Sequence, residues 1–314
     1  MLNLVREQPE GVQYLRKVVE GRLTSPLLLV GDEGVGRRFS VLQAVKESFS
    51  AGDPKSPYCV QVDQGVHVDF TVIAPEDGKE IGVDAIRETV RKACDFPMVS
   101  PKRFVLVDGA DRMTPAAANA LLKTLEEPPK LTQFFLIAES AESVLPTIRS
   151  RCGKVRYKRL SEAFIVESLK DFVPEHDKAL VYARLSEGSL GRAFHYFGSN
   201  RLELRDRAFG LLKVGLGGDL SSLFLAVDAL KDDLKLGIHF LEHVLYDLAM
   251  LSQDPSRIAN LDLVGELRGV GAHMGSARIR SLHQGLRVLQ SRAQTTKINT
   301  AFHLKACLAT TFSE

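Results

Sequence analysis

The chain has 314 residues, 45% hydrophobic and 25% charged, which is ordinary for a globular protein and long enough for two or three compact cores. With 41 Lys and Arg against 39 Asp and Glu the net charge is only +2, which excludes nucleic-acid binding by bulk charge; any DNA contact has to come from a local patch or from partners. The four cysteines, Cys59, Cys94, Cys152 and Cys307, fit no metal-ligand spacing and read as buried thiols in a reducing compartment. The opening MLNLVREQPE has no apolar signal core, and no apolar run approaches the roughly 20 residues of a membrane span, so a cytoplasmic protein with no membrane partner is expected.

Short β-rich runs alternate with helical patterns through the first half. Pro26–Val30 predicts a strand that enters a glycine-rich loop, Gly31–Gly36, and Phe39, Leu42, Val45 and Phe49 predict one face of the helix that follows. Asp69–Ala74 is the next strand, and Val83, Ile86, Val90 and Cys94 mark an amphipathic helix. Phe104–Val107 reads as a strand buried on both faces. Thr114 with Pro115 caps a helix that stops at Pro128–Pro129, because a residue before proline avoids the helical region. Phe134–Ala138 and Val155–Lys158 complete the strands. Strand–helix alternation implies a parallel sheet, with ligands at the carboxyl ends of the strands, where the Gly31 loop and Asp108 both lie.

From Ser161 onward only helical periodicity remains: a short stretch ending near Gly198, then Leu223–Leu251 with a break near Asp232, Ile279–Ala293, and Ile298–Phe312. The expected organisation is an α/β domain over residues 1–159, a small helical lid over 160–200, and an all-α domain over 201–314.

Gly31-Asp32-Glu33-Gly34-Val35-Gly36-Arg37-Arg38 has the spacing of the phosphate-binding loop G-x-x-x-x-G-K-[ST]. In a working loop, backbone N–H groups cradle the phosphates, the lysine reaches the β- and γ-phosphates and the hydroxyl binds Mg²⁺. Here Arg37 stands at the lysine position and Arg38 at the magnesium-ligand position, where it offers no ligand and repels the metal. After the Phe104–Val107 strand, Asp108 remains as an acidic remnant, but Gly109 stands where a water-polarising glutamate belongs. Asp111, three positions on, is read as a helix-capping residue. The loop is therefore read as a retained turn without its chemistry. None of the eight histidines sits in a nucleophile motif, and His67 reads as structural.

Thr114–Pro129 (TPAAANALLKTLEEPP) and Leu145–Cys152 (LPTIRSRC) closely resemble the clamp-loader AAA+ family, which includes gamma/tau and delta-prime subunits of bacterial DNA polymerase III and the small subunits of replication factor C. Gly65–Asp69 and Ile81–Arg87 are similar to further segments of that family. The resemblance covers residues 25–200 strongly and the remainder by helical character and size. It implies an AAA+ fold with a lid and a helical collar. It also implies that Arg151 of the Ser150-Arg151-Cys152 motif is an arginine finger, catalytic in trans at ATP bound by a neighbouring subunit, with Arg149 a possible second contributor. The partners it implies are gamma/tau-like ATPase subunits, a delta-like subunit, the sliding clamp and, through the assembled complex, primer-template DNA.

The departures from the family's pattern are equally informative. The family's zinc module has four cysteines between the first helix and second strand; only Cys59 falls there, so no zinc is expected. The sensor threonine falls near Ala138–Glu139, and the lid's Gly-Ser-x-Arg pattern reads Gly188-Ser189-Leu190-Gly191-Arg192, with arginine one residue late. Loss of each ATP-handling element beside a retained Arg151 resembles the delta-prime branch: a non-hydrolysing, stator-like subunit with no catalytic cofactor or metal of its own, in a loader whose ATP is hydrolysed by partner subunits. Two alternatives stay open, an ATPase with an unorthodox site built on Arg37, and a switch that binds nucleotide through Gly31, Gly34 and Gly36 without turnover.

Overall fold

A computed structural model of the chain describes residues 1–76, 79–295 and 298–313, the side chains of 294 and 295 aside. Two compact units are present: Met1–Ser161 together with Ser189–Gly191, and Glu162–Gly188 together with Arg192–Glu314.

In the first unit, helix α1 (Pro9–Val19) precedes strand β1 (Leu27–Val30), helices α2 (Arg37–Ser50) and α3 (Pro57–Asp63), and strand β2 (Phe70–Ile73). Helix α4 (Val83–Ala93), strand β3 (Arg103–Asp108), helix α5 (Pro115–Glu126), strand β4 (Thr132–Ala138), the short helix α6 (Pro146–Arg149) and strand β5 (Gly153–Arg156) follow. The sheet order is β2-β3-β4-β1-β5, and every pair is parallel. β1 lies between β4 and β5, with Leu27 opposite Phe135 on one side and Gly153 on the other.

Successive strand residues point to opposite faces, so one apolar run serves two cores. Leu28, Val30, Val105, Val107 and Leu136 pack with Leu121 of α5 and Ile86 of α4. Leu27, Leu29, Leu106 and Ile137 pack with Val41, Val45 and Phe49 of α2. The parallel α/β reading and its strand positions hold to within two or three residues at each end.

Two details differ from expectation. Phe39 is 45% exposed, and the buried stripe of α2 is Val41, Ala44, Val45 and Phe49. The stripe runs at i, i+3, i+4 and i+8 from Val41, and Phe39, two residues before Val41, projects to the far side of the helix. Cys94 is exposed and Cys307 half-buried, whereas Cys59 and Cys152 are buried. α4 ends at Ala93, and Cys94 lies just past the end, beyond the stripe that buries Ile86 and Ala93.

The described residues of the second unit contain helices and no strand: α7 (Glu162–Leu169), α8 (His176–Leu185), α9 (Leu190–Gly198), α10 (Leu202–Leu216), α11 (Leu220–Asp228), α12 (Leu234–Met250), α13 (Val264–Thr295) and α14 (Thr300–Ser313). A turn of 3₁₀ helix over Lys231–Asp233 separates α11 from α12, at the break expected near Asp232. The run α13 is two helices that meet at Gly275, whose φ of 70° suits glycine: the second holds the expected Ile279–Ala293, and the first, not expected, buries Leu267, Val270 and Met274 at helical spacing. Two buried charges, Asp247 and Arg205, find their partners within this unit. Asp247 accepts N–H bonds from Ala259 and Asn260, both at 2.8 Å, and Arg205 grips both oxygens of Asp262 at 2.8 Å. No described helix is long and apolar enough to cross a membrane.

In the first unit the segment leading into β3 hangs on a buried carboxylate. Asp69, 0% exposed, accepts N–H bonds from Met98, Val99 and Ser100 at 2.8, 2.9 and 3.0 Å and pairs with Arg103 at 3.3 Å. Burial by itself would raise its carboxyl, but the three amides and Arg103 outweigh burial and hold it below the ordinary 3.8. Asp69→Asn leaves Arg103 buried without its counter-charge, so it should lower stability at pH 7 by about 3 kcal/mol in urea unfolding. A depressed carboxyl stabilises above its unfolded value and ceases to as pH falls through its native one, so the gap between wild type and variant should shrink below about pH 4.

Candidate functional site

β1 ends at Val30, and the chain turns through Gly31–Gly36 into α2, which puts the loop at the carboxyl edge of the sheet beside the ends of β3 and β4. Gly36 occupies the N-cap of α2 with φ 98°. The first two helical residues are Arg37 and Arg38, so two cations sit at the positive end of a helix dipole, an arrangement that needs compensation.

The compensation comes from the protein. Arg37 is buried and its Nη1 donates to the Ala138 carbonyl at the end of β4. Burial pulls the Arg37 guanidinium below its ordinary value, while Asp108, Asp111, Glu139 and Glu33 push it back up. Arg38 donates to Asp108 Oδ2 at 2.9 Å, so the acidic remnant is engaged by the residue that stands at the magnesium-ligand position. Asp111 does not cap a helix with its carboxylate: Oδ2 accepts the Glu139 N–H at 2.9 Å and contacts Ser143 Oγ at 3.4 Å. Asp32 pairs with Arg159 at 2.6 Å.

Gly109, at the position of the missing glutamate, has φ 100°, and a Cβ there would lie 3.1 Å from Pro75 Cδ. A glutamate at 109 would therefore be strained as well as crowded.

The sequence reading missed what covers the loop. Ser189 Oγ donates to the Glu33 carbonyl at 2.7 Å, and the Gly191 N–H donates to the Gly34 carbonyl at 3.1 Å. The backbones at 34 and 191 are so close that a Cβ on Gly191 would lie 2.8 Å from Gly34 Cα. Glycine at 191, where the family pattern has arginine, is thus a packing requirement. Arg192 binds Glu187 at 3.2 Å. Gln8, also missed, is buried and clamps the loop from below: its Nε2 donates to the carbonyls of Val35 and Lys158, and its Oε1 accepts the Lys158 N–H. A glutamine next to Pro9 carries no motif signal, so nothing in the sequence marks it.

The Ser150-Arg151-Cys152 segment follows α6 and leads into β5. Arg151 is 31% exposed; its Nη1 donates to the Thr147 carbonyl at 3.0 Å, and its Nη2 pairs with Glu126 at the end of α5, 3.3 Å away. Ser150 Oγ donates to the Thr147 carbonyl, and burial pushes the Cys152 thiol up to about 12, which keeps it protonated and inert. Arg149 is half-buried and makes no ion pair among the described residues. His67 stacks on Phe49 at 4.1 Å and accepts the Asp69 N–H, a structural role.

Comparison with known proteins decides the family. The model of the family described as DNA polymerase III, delta subunit, matches residues 7–161. The DNA polymerase III subunit delta' of Escherichia coli K12 is 33% identical over 227 residues, 71% of this chain and 67% of that protein. The chain belongs to the DNA polymerase III delta' family. Subunit delta' of Yersinia pestis is 32% identical over 247 residues, 75% of this chain and 72% of that protein. Among solved structures, a DNA polymerase III gamma subunit-related protein of Thermotoga maritima has 19% identity and a TM-score of 0.54, covering 96% of this chain and 98% of that one, which shows a shared fold. As a delta'-family chain this is a clamp-loader component of DNA polymerase III with an AAA+ fold.

The contact between Gly34 and Gly191 gives a steric prediction for this delta'-family chain. Gly191→Ala forces backbone against backbone and should lower stability by about 1–3 kcal/mol in thermal unfolding. Gly198→Ala, where an added Cβ meets nothing within 4 Å, should change stability by less than about 0.5 kcal/mol.

Proposed function

We propose that this chain is the non-hydrolysing, stator-like subunit of its clamp loader and that Arg151 acts in trans on ATP held by a neighbouring ATPase subunit. The observation that carries this reading is the occupation of the phosphate-loop positions by the protein's own groups. Arg37 is bonded to Ala138, Arg38 to Asp108, and Gly34 is covered by Ser189 and Gly191. A nucleotide bound in the manner of a working loop would have to displace all three. That argues against both the unorthodox ATPase and the nucleotide-binding switch.

Arg151 differs in kind. Its carboxylate partner among the described residues, Glu126, is 61% exposed, and an ion pair at such a surface contributes ~0–1 kcal/mol. The guanidinium is therefore released at little cost when a more concentrated negative charge, such as a γ-phosphate, approaches. A delocalised cation placed there as charge shifts during phosphoryl transfer accelerates hydrolysis on the neighbour. In this reading residues 160–200 serve as a lid and 201–314 as a collar that joins gamma/tau-like and delta-like subunits. The sliding clamp and primer-template DNA are met through the assembled complex, with sequence-independent phosphate contacts. Action in the cytoplasm follows from that role.

The test is clamp- and DNA-stimulated ATPase activity of a reconstituted loader. The isolated chain should show no Mg²⁺-dependent turnover. Arg151→Ala should assemble normally and reduce turnover at the adjoining site by ~10²-fold or more. Glu126→Ala, which removes only the resting partner, should keep full activity. Full activity of the Arg151→Ala complex would reduce the subunit to scaffolding, and turnover by the isolated chain would restore the ATPase reading.

A further inference from the structure

Outside the phosphate loop and the Arg151 surface, the second unit contains a group of side chains that neither role uses. His239 and His243 are four residues apart on α12 and so project from one face of the helix. Their rings meet edge to face with centroids 4.6 Å apart. Glu187 reaches the same place from the turn between α8 and α9, where its φ of 51° holds a non-glycine residue in the left-handed region. One ligand atom from each of Glu187, His239 and His243 lies within 4.8 Å of the others.

Two features distinguish this group from an ordinary polar cluster. The Nε2 atoms of His239 and His243 are buried and make no hydrogen bond. Buried polar nitrogens are nearly always bonded, and two adjacent exceptions require an explanation. The separation from His243 Nε2 to Glu187 Oε1 is 3.6 Å, too long for a hydrogen bond. It is close to the ~3.3 Å edge of a tetrahedron whose metal–ligand bonds are about 2.0–2.1 Å.

The two oxygens of Glu187 are also divided. Oε1 faces His243, while Oε2 accepts from Arg192 at 3.2 Å. A carboxylate that binds a metal through one oxygen and is oriented through the other by a charged donor is a familiar outer-shell arrangement. The group borders a cavity of about 680 Å³, whose wall includes Glu242, His283 and Arg287. Gln290 holds Glu242 at 2.6 Å, and Arg184 is paired with Glu162 at 3.0 Å, so part of the surrounding charge is already balanced.

We propose that Glu187, His239 and His243 form a binding site for a divalent cation of the Zn²⁺ type, with the fourth coordination position open to the cavity. Two imidazoles and one carboxylate suit a borderline metal better than a hard one, since Mg²⁺ and Ca²⁺ select oxygen-rich sets. The cation would fasten the strained turn at Glu187 to α12 and fix Arg192 behind it. The sequence reading expects no metal because it looks for cysteine spacing. This site instead combines a His-x-x-x-His step on one helix with a glutamate 52 residues before the first histidine.

The experiment is a Zn²⁺ titration of the tag-free full chain in competition with a chromophoric chelator, with thermal unfolding recorded with and without the metal. The expected result is one equivalent bound and a higher Tm with Zn²⁺. His239→Gln and His243→Gln should each weaken binding by ~100-fold or more, beyond the ~10–100-fold typical of an outer-shell change. His283→Gln, on the cavity wall but outside the three, should bind as wild type does. If a histidine variant is poorly folded without metal, Glu187→Gln, on the turn, supplies the comparison and should also weaken binding. Absence of stoichiometric binding, or binding that survives these substitutions and disappears on thiol alkylation, would overturn the proposal.

Discussion

Strand β1 is the constraint on which the first unit is built. Leu27, Leu28, Leu29 and Val30 are all buried, and their backbone is paired on both edges, to β4 and to β5. A strand in that position cannot slip by one residue without exchanging the two cores, because Leu27 and Leu29 face α2 while Leu28 and Val30 face α5. With its register fixed, the chain must leave the sheet at Val30, and the glycine loop lies at the carboxyl edge irrespective of what the loop binds. Retention of a phosphate loop's geometry is in that sense a property of the sheet, independent of nucleotide chemistry.

The residues that stand at the loop have an electrostatic consequence. A helix N-terminus that carries two arginines concentrates positive potential and calls for acidic partners. Carboxylates at the ends of the neighbouring strands surround it, and Ser189–Gly191 cover the loop from above. Each change supports the others. Gly191 admits the close approach to Gly34, Gly109 accepts a backbone conformation that a catalytic glutamate could not, and Asp108 is held by Arg38. Reversal of one substitution alone would therefore not recover a working site.

Arg151 is a partly exposed cation held by the Thr147 carbonyl and the exposed Glu126, and its position between α6 and β5 is set by the same sheet. The second unit has its own fixed points: Asp247 and Arg205 are buried charges whose partners lie in distant segments, so they pin α10 and α12 to the 259–262 turn. The half-buried histidines of α12 differ in that each keeps a buried Nε2 without a hydrogen bond.

The parallel strands and the capped helix at Thr114 were legible in the sequence, because each depends on local periodicity or on spacing within a few residues. Misjudged details had tertiary causes: Phe39 scored as core since it is apolar, but the facing sheet selects the stripe that starts at Val41, and Cys94 fell just beyond a helix end that periodicity alone does not fix. The roles of Gln8, Ser189 and Gly191 and the meeting of Glu187 with His239 and His243 were invisible, since they join residues tens to more than a hundred positions apart. The sequence by itself determined which elements form and which chemical groups stand at the glycine loop and between α6 and β5. Only the tertiary structure decided what those groups now touch, because burial and close approach are set by packing between segments whose separation along the chain carries no local signal.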